Sequence, residues 1–295
     1  MNSNLKGIIL AAGKGTRLLP TTLAASKPLL PLYDKPMIYY SLETLIRLGI
    51  RDILFIVSQD DLQTFKNIFG TGDQLGLNFS YLVQPIQRGI SDAYLIAENF
   101  AKGSPSVLAL GDNIFIGKEY FNHANQALKK MQESGSCVFG LEVPDPEKFA
   151  VVEFDKEGKV VGVEEKPTNP KTNTIIPGLF LFDSKATEFA KNIKPSNRGE
   201  LEICDLYLQY LKINQFNIEM LDKSIQWFDA GSADSLLEAS TALKKYAQIS
   251  QNYLGYYEIA SYEMQFSTKD QLQRIGDSLK SSQYGQNILS YLANI

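Results

Sequence analysis

Histidine is almost missing from this chain. The one present, His123, stands in a helical stretch with no cysteine or acid at ligand spacing, so it reads as a surface or packing residue. Cysteine is nearly as scarce. Cys137 and Cys204 cannot build a disulfide framework and lack zinc-type spacing; they read as reduced, buried, small apolar side chains. There is no basic excess either. Lys and Arg number 29 against 33 Asp and Glu, and the net charge of −4 gives no reason to expect nucleic acid as a partner. No apolar run approaches the ~20 residues needed to cross a bilayer, so no membrane partner is expected. The opening MNSNLKG is too short and polar for a signal peptide, which makes the cytoplasm the expected location. Internal repeats and low-complexity tracts are also lacking. The remaining composition, 44% hydrophobic and 21% charged over 295 residues, suits an ordinary globular protein of one large or two smaller domains.

The most informative segment present is GIILAAGKGTR at 7–17. Ile8, Ile9 and Leu10 supply a short apolar strand. Past Ala11 and Ala12 the chain loses bulk, and Gly13 and Gly15 let backbone N–H groups close on an anion. Arg17 adds a forked positive charge, and Lys27 follows in SKPLLPLYDKP. Two basic residues bracketing a glycine loop suggest a polyphosphate site. It is neither of two common phosphate loops. Leu18 stands where a dinucleotide fingerprint needs its third glycine, and no lysine follows Gly15 as in a P-loop.

Strand patterns near 6–11, 52–58, 79–83, 106–111 and 136–142 alternate with helical patterns near 36–48, 60–69, 91–100 and 119–133. This predicts an α/β fold with a mostly parallel sheet and helices on both faces. Ligands bind such sheets at the carboxyl ends of the strands. FAVVEFDKEGKVVGVEEKP then reads as two strands joined by an Asp155–Gly158 turn, followed by a strand in IIPGLFLFD: an added β-region where a second substrate could bind. Helices near 202–213 and 233–247 flank a short strand near 225–229. The segment 250–295 is too aromatic for a disordered tail and too poor in apolar residues for its own core. It is expected to form short helices that pack on the core and take part in a closed homo-oligomer.

Asp112 in VLALGDN and Asp229 in WFDAGSADSLLEA each follow an apolar strand. Together they can share a Mg²⁺, which takes hard oxygen ligands and keeps waters and substrate phosphates. Each alone also suits a turn aspartate or a helix cap. Gln84 and Gly89, in YLVQPIQRGISDA, suit a flat base: the amide pairs with the edge shared by thymine and uracil, and glycine lets backbone approach the ring.

The glycine loop, then T-R, then S-K-P, with motifs spaced through the whole chain, resembles the sugar nucleotidyltransferases. The resemblance is greatest to members that join dTTP and glucose 1-phosphate into dTDP-glucose and pyrophosphate, a precursor for deoxysugars of the dTDP-rhamnose type. It implies a Rossmann-like core over 1–250, with a nucleotide-binding part at about 1–135 and a sugar-binding part at about 136–230, and a packing segment over 251–295. It implies catalytic roles for Arg17 and Lys27, and nucleotide contacts at Leu10, Ala11, Gly13, Gly15, Thr16, Gln84, Gly89 and Asp112. Mg²⁺ would lie on Asp112 and Asp229. The sugar phosphate would meet Phe149, Glu165, Lys166, Gly178 and Arg198. Regular alternation would split Glu165 from Lys166, so both can serve only if the strand ends or bends at Pro167. Glu200 and Glu202 are expected to start the next helix. A tetramer is the implied assembly. The chain departs from the pattern at Ala12, Pro28, Phe149–Ala150, Pro177, Phe180, Ser232–Ala233 and Ser261–Tyr262, which leaves uracil and other sugar phosphates open and weakens a carry-over of the family's feedback site.

Overall fold

The computed structural model describes residues 4–250 and 253–295. Its strands are β1 (Lys6–Ala11), β2 (Pro31–Leu32), β3 (Lys35–Pro36), β4 (Asp52–Val57), β5 (Asn78–Val83), β6 (Ser106–Leu110), β7 (Ile114–Ile116), β8 (Ser136–Glu142), β9 (Ala150–Phe154), β10 (Val160–Glu165), β11 (Thr174–Ile175), β12 (Leu179–Phe182), β13 (Ile218–Met220) and β14 (Gln226–Phe228). Its helices are α1 (Ile38–Arg47), α2 (Leu62–Phe69), α3 (Asp92–Ile96), α4 (Glu98–Ala101), α5 (Tyr120–Ser134), α6 (Ala186–Lys191), α7 (Ile203–Lys212), α8 (Ala233–Ser250), α9 (Tyr257–Glu263), α10 (Lys269–Ser278) and α11 (Gln283–Ala293). None of the described helices is long and apolar enough to cross a membrane.

One large mixed sheet runs in the order β10-β9-β11-β8-β12-β6-β1-β4-β5, with β13 paired to β8. The β6-β1-β4-β5 part is parallel; β12 runs antiparallel between β6 and β8. The chain leaves β1 toward β4 and β5, then returns to β6 on the other side. That reversal is a topological switch point, where loops after two neighbouring strands diverge and leave a crevice. Both sheet faces are apolar because both are covered. Ile9, Phe55 and Val57 face one core, with α1, α2 and α5. Ile8, Leu54 and Ile56 face the other, with α3, α6 and α7.

The β9–β10 hairpin turns where Asp155 Oδ1 accepts from the N–H groups of Glu157 and Lys159, at 3.0 and 2.8 Å, and Gly158 takes a φ of 80°. Several expectations shift. The helix expected over 91–100 breaks at Ala97 into α3 and α4. The strand expected in IIPGLFLFD is split by Pro177–Gly178 into β11 and β12, since proline cannot donate to a ladder. Pro36 lies in the β2–β3 hairpin, not at a helix start. The strand near 225–229 pairs with β7, outside the large sheet.

The tail corrects a further expectation. Tyr256, Ile259, Leu272, Tyr284, Ile288 and Leu292 form a small core of their own. Rings supply the area that aliphatic residues lack: Tyr256 stacks on Tyr284 at 4.4 Å. This unit docks on α1 through α9, with Tyr39 edge-on to Tyr257 at 4.7 Å. Buried between them, Glu258 accepts from the Tyr284 hydroxyl at 2.5 Å.

Burial pushes the Glu258 carboxyl from 4.5 up to about 7, although the Tyr284 hydrogen bond pulls the other way. The folded value lies above the unfolded one, so this group stabilises fully below about pH 4.5 and the contribution is lost as pH rises through about 7. The swing is about 3 kcal/mol. The melting temperature should therefore fall between about pH 5 and pH 8. Glu258→Gln should flatten that slope in a pH series of thermal melts; an equal slope in the variant would place the titration elsewhere.

Candidate active site

The glycine loop follows β1 at the switch point. Gly13 has open space where a side chain would project, and Thr16 is exposed at the start of a single 3₁₀ turn. Gly15 is needed twice: its φ is 58°, and a Cβ there would lie 2.9 Å from Thr22 and 3.0 Å from Lys27. The loop, with Gln84, Pro85, Ile86 and Gln87, lines an open cleft of 930 Å³. Leu10 and Ala11 end β1 and do not line the cleft; the Leu10 carbonyl accepts from Gly111 N–H at 3.0 Å, tying β1 to the turn that carries Asp112.

Lys27 is buried, and a buried ammonium must be paired. Its Nζ donates to Asp112 Oδ2 at 2.5 Å and to the Asp229 carbonyl at 3.0 Å. Asp229 Oδ1 in turn accepts from Gly231 N–H at 3.0 Å. Gly231 is itself pressed by Arg17: a Cβ there would sit 2.7 Å from Arg17 Nη2 and 2.9 Å from Asp229 Oδ2. Arg17, Lys27, Asp112 and Asp229 thus converge. Gly231 was not foreseen as part of this site; its signal was its place two residues after an aspartate. Asp112 and Asp229 bring two carboxylates to turns that meet at one ammonium, and such hard oxygen donors fit a divalent cation whose remaining ligands are phosphates and water.

Gln84 is buried, and its Nε2 donates to Asp92 Oδ2 at 3.0 Å, while Arg88 holds Asp92 Oδ1 at 2.7 Å. The amide is therefore fixed in one orientation, with its oxygen free of Asp92. Asp92, in the first turn of α3, was missed by sequence reasoning. Gly89, expected beside a base, is constrained by the backbone around it. Its φ is 98°, and a Cβ would lie 2.5 Å from the Leu201 carbonyl.

Among the residues expected to meet the sugar phosphate, β10 ends at Glu165 and Lys166 takes a φ of 47°. The bend falls one residue before Pro167, so the alternation that would separate the pair stops at Glu165, and their charged groups lie 3.6 Å apart. The Lys166 N–H donates to the Phe149 carbonyl at 2.9 Å, and the Phe149 ring meets Trp227 edge-on at 5.1 Å. Arg198 reaches Glu165 at 3.6 Å and is bonded by Glu202 at 2.8–3.1 Å. Of the two acids expected to start the next helix, Glu202 stands just before α7 with its carboxylate spent on Arg198 and the Ser196 hydroxyl, and Glu200 lies outside the helix, 3.5 Å from Arg198. The Cys204 thiol backs the other Glu165 oxygen at 3.4 Å; burial and that carboxylate push it well above the usual thiol range. Gly178 lies against Asn113, where a Cβ would be 2.7 Å from the amide carbon. His123 belongs elsewhere: its Nδ1 bonds Glu219 on β13 at 2.6 Å, a packing contact as expected.

A nucleotidyl transferase sequence profile matches residues 6–246. A glucose-1-phosphate thymidylyltransferase of Neisseria meningitidis is 41% identical over 98% of this chain and 99% of its own length. One of Mycobacterium tuberculosis is 39% identical over the same shares. A crystal structure of a candidate glucose-1-phosphate thymidylyltransferase of Bacillus anthracis, with bound sucrose, superposes with a TM-score of 0.73 at 36% identity, covering 80% of this chain and 94% of that one. A UDP-glucose pyrophosphorylase bound to UDP-glucose superposes at 0.72 with 25% identity, covering 82% and 99%. The chain belongs to the nucleotidyl transferase family.

Lys27→Gln should lower nucleotidyl transfer by ~10²–10³-fold, the range for losing one preorganised charge contact at a transition state. A steady-state assay checks it; turnover equal to the parent would remove Lys27 from the reaction.

Proposed function

We propose that this chain is a cytoplasmic enzyme that transfers the nucleotidyl group of dTTP to glucose 1-phosphate, giving dTDP-glucose, a deoxysugar precursor, and pyrophosphate. The observation that carries this reading is the meeting of Lys27 with Asp112 and Asp229 beside a glycine-loop cleft, in a chain similar end to end to enzymes of that name. The sugar phosphate is already an anion at neutral pH, so no residue needs to take its proton. It attacks the α-phosphorus in line, and the protein's part is positioning and charge.

Arg17 meets the leaving pyrophosphate and Lys27 the α-phosphate. Lys166 and Arg198 hold the nucleophile, with Glu165 on the sugar hydroxyls and Phe149 against the ring. Gln84 reads the base with its fixed amide. A Mg²⁺ on Asp112 and Asp229 supplies charge neutralisation to the phosphates when bound. Arg198 must exchange Glu202 for the incoming phosphate, so the pocket stays electrically balanced before substrate arrives.

We also place self-association on α8. On α8, Leu237 and Ile249 line one groove and stand 69% and 85% exposed. A surface of this kind suits a second copy in a closed oligomer such as a tetramer. Light scattering should show more than one chain per particle, and Leu237→Glu with Ile249→Glu should lower that mass; a monomeric parent at micromolar concentration would contradict the assignment.

EDTA should abolish turnover, and Asp112→Asn should cut it by at least ~10²-fold. Full activity in either case would sink the metal role. In nucleotide competition, dTTP should lead, UTP should work weakly, and CTP should be disfavoured by about tenfold to hundredfold, because a mispaired buried amide costs ~1–3 kcal/mol. Gln84→Ala should reduce the dTTP-over-CTP ratio of kcat/KM; an unchanged ratio would assign base reading to other groups.

A further inference from the structure

Asn113 is buried and makes three hydrogen bonds to three separate parts of the site. Its Oδ1 accepts from Trp227 Nε1 at 2.7 Å and from Gly178 N–H at 2.9 Å. Two N–H groups pointing at one atom fix which end of the amide is oxygen; a flipped amide would set donor against donor. The Nδ2 group is thereby turned the other way, where it donates to Asp112 Oδ1 at 3.0 Å. Asp112 is then held at both oxygens, by Asn113 at Oδ1 and by Lys27 at Oδ2.

We infer that Asn113 is a positioning residue: its amide, locked by Gly178 and Trp227, sets the orientation of the Asp112 carboxylate for cation binding. The inference rests on the metal reading of Asp112. The same amide joins the two halves of the site. Trp227 carries the Phe149 ring on the sugar side, and Gly178 begins the turn into β12. Gly178 cannot bear a side chain, because that atom would displace the Asn113 amide. The lock therefore explains a glycine, a tryptophan and an asparagine with one geometry. Partners that orient a metal ligand in this way are worth ~10–100-fold in metal affinity when removed.

The test is calorimetric titration of Mn²⁺ into the enzyme–dTTP complex, which needs no turnover. Asn113→Ala should bind Mn²⁺ ~10–100-fold more weakly than the parent, and raised Mn²⁺ should restore part of its turnover. A lowered melting temperature with unchanged Mn²⁺ affinity would mean a structural role only, and would overturn the inference. Asp112→Asn serves as the reference. If Asp112→Asn binds Mn²⁺ like the parent, the metal reading itself falls; if it binds weakly while Asn113→Ala does not, only the positioning role falls. Should Asn113→Ala fail to fold, Trp227→Phe removes one of the two locking donors and keeps a ring against Phe149. It should weaken Mn²⁺ binding about fivefold, the worth of one hydrogen bond. Unchanged binding in that variant would overturn the inference.

Discussion

The site depends on one buried ammonium. Lys27 has almost no access to water, so its charge has to be met inside the protein. The two groups that meet it lie 85 and 202 residues further along the chain. Satisfying that one charge brings together the segment after β1, the turn after β6 and the turn after β14. The topological reversal beside β1 makes this meeting possible, because the loops after β1 and β6 open on the same crevice. The rest of the nucleotide side is arranged around that point. Gly15 is bare because Lys27 passes beside it, and Gly231 is bare because Arg17 does.

The parallel half of the fold was legible because its strands are buried on both faces and separated by amphipathic helices. Each of β1, β4 and β6 carries a short run of apolar side chains. Short pieces escaped notice. β7 and β13 have three residues each, and β2 and β3 have two, too few for alternation to register. The tail was misjudged for a different reason: counting aliphatic residues undervalues stacked tyrosines, which bury large areas with a polar tip. At the site, Lys27, Asp112, Asp229 and Arg17 could be named from motifs and do come together. Asn113, Asp92, Glu202 and Gly231 could not be assigned in the same way. Asn113 and Gly231 act through Trp227 and Arg17, distant in the chain, which leaves no local pattern; Asp92 and Glu202 bond arginines four residues before them, a spacing that equally suits an ordinary surface ion pair.

The cluster around Arg198 shows how closely packed charges are balanced within the protein. Arg198 has three carboxylates within 3.6 Å, and Lys166 lies beside one of them. Like charges are interleaved with opposite ones, so no cation stands uncompensated.

Lys35 links the ends of the chain in time as well as in space. It is buried, and burial pulls its ammonium down from the usual lysine range despite its pairing with Asp34. Its roof is made by the rings of Tyr256 and Tyr284, 4.4 and 5.7 Å away, and Tyr256 also bonds Asp34 across 222 residues. The hairpin that holds Lys35 begins four residues after Lys27. During synthesis the sheet can assemble from its early strands, since chains fold from the N-terminus as they emerge. The hairpin, however, stays unroofed until both tyrosines have left the ribosome. A polypeptide released early would carry the whole catalytic set on an unfinished support, and quality-control proteases would meet an exposed, unsheltered lysine loop where the completed protein offers a closed one.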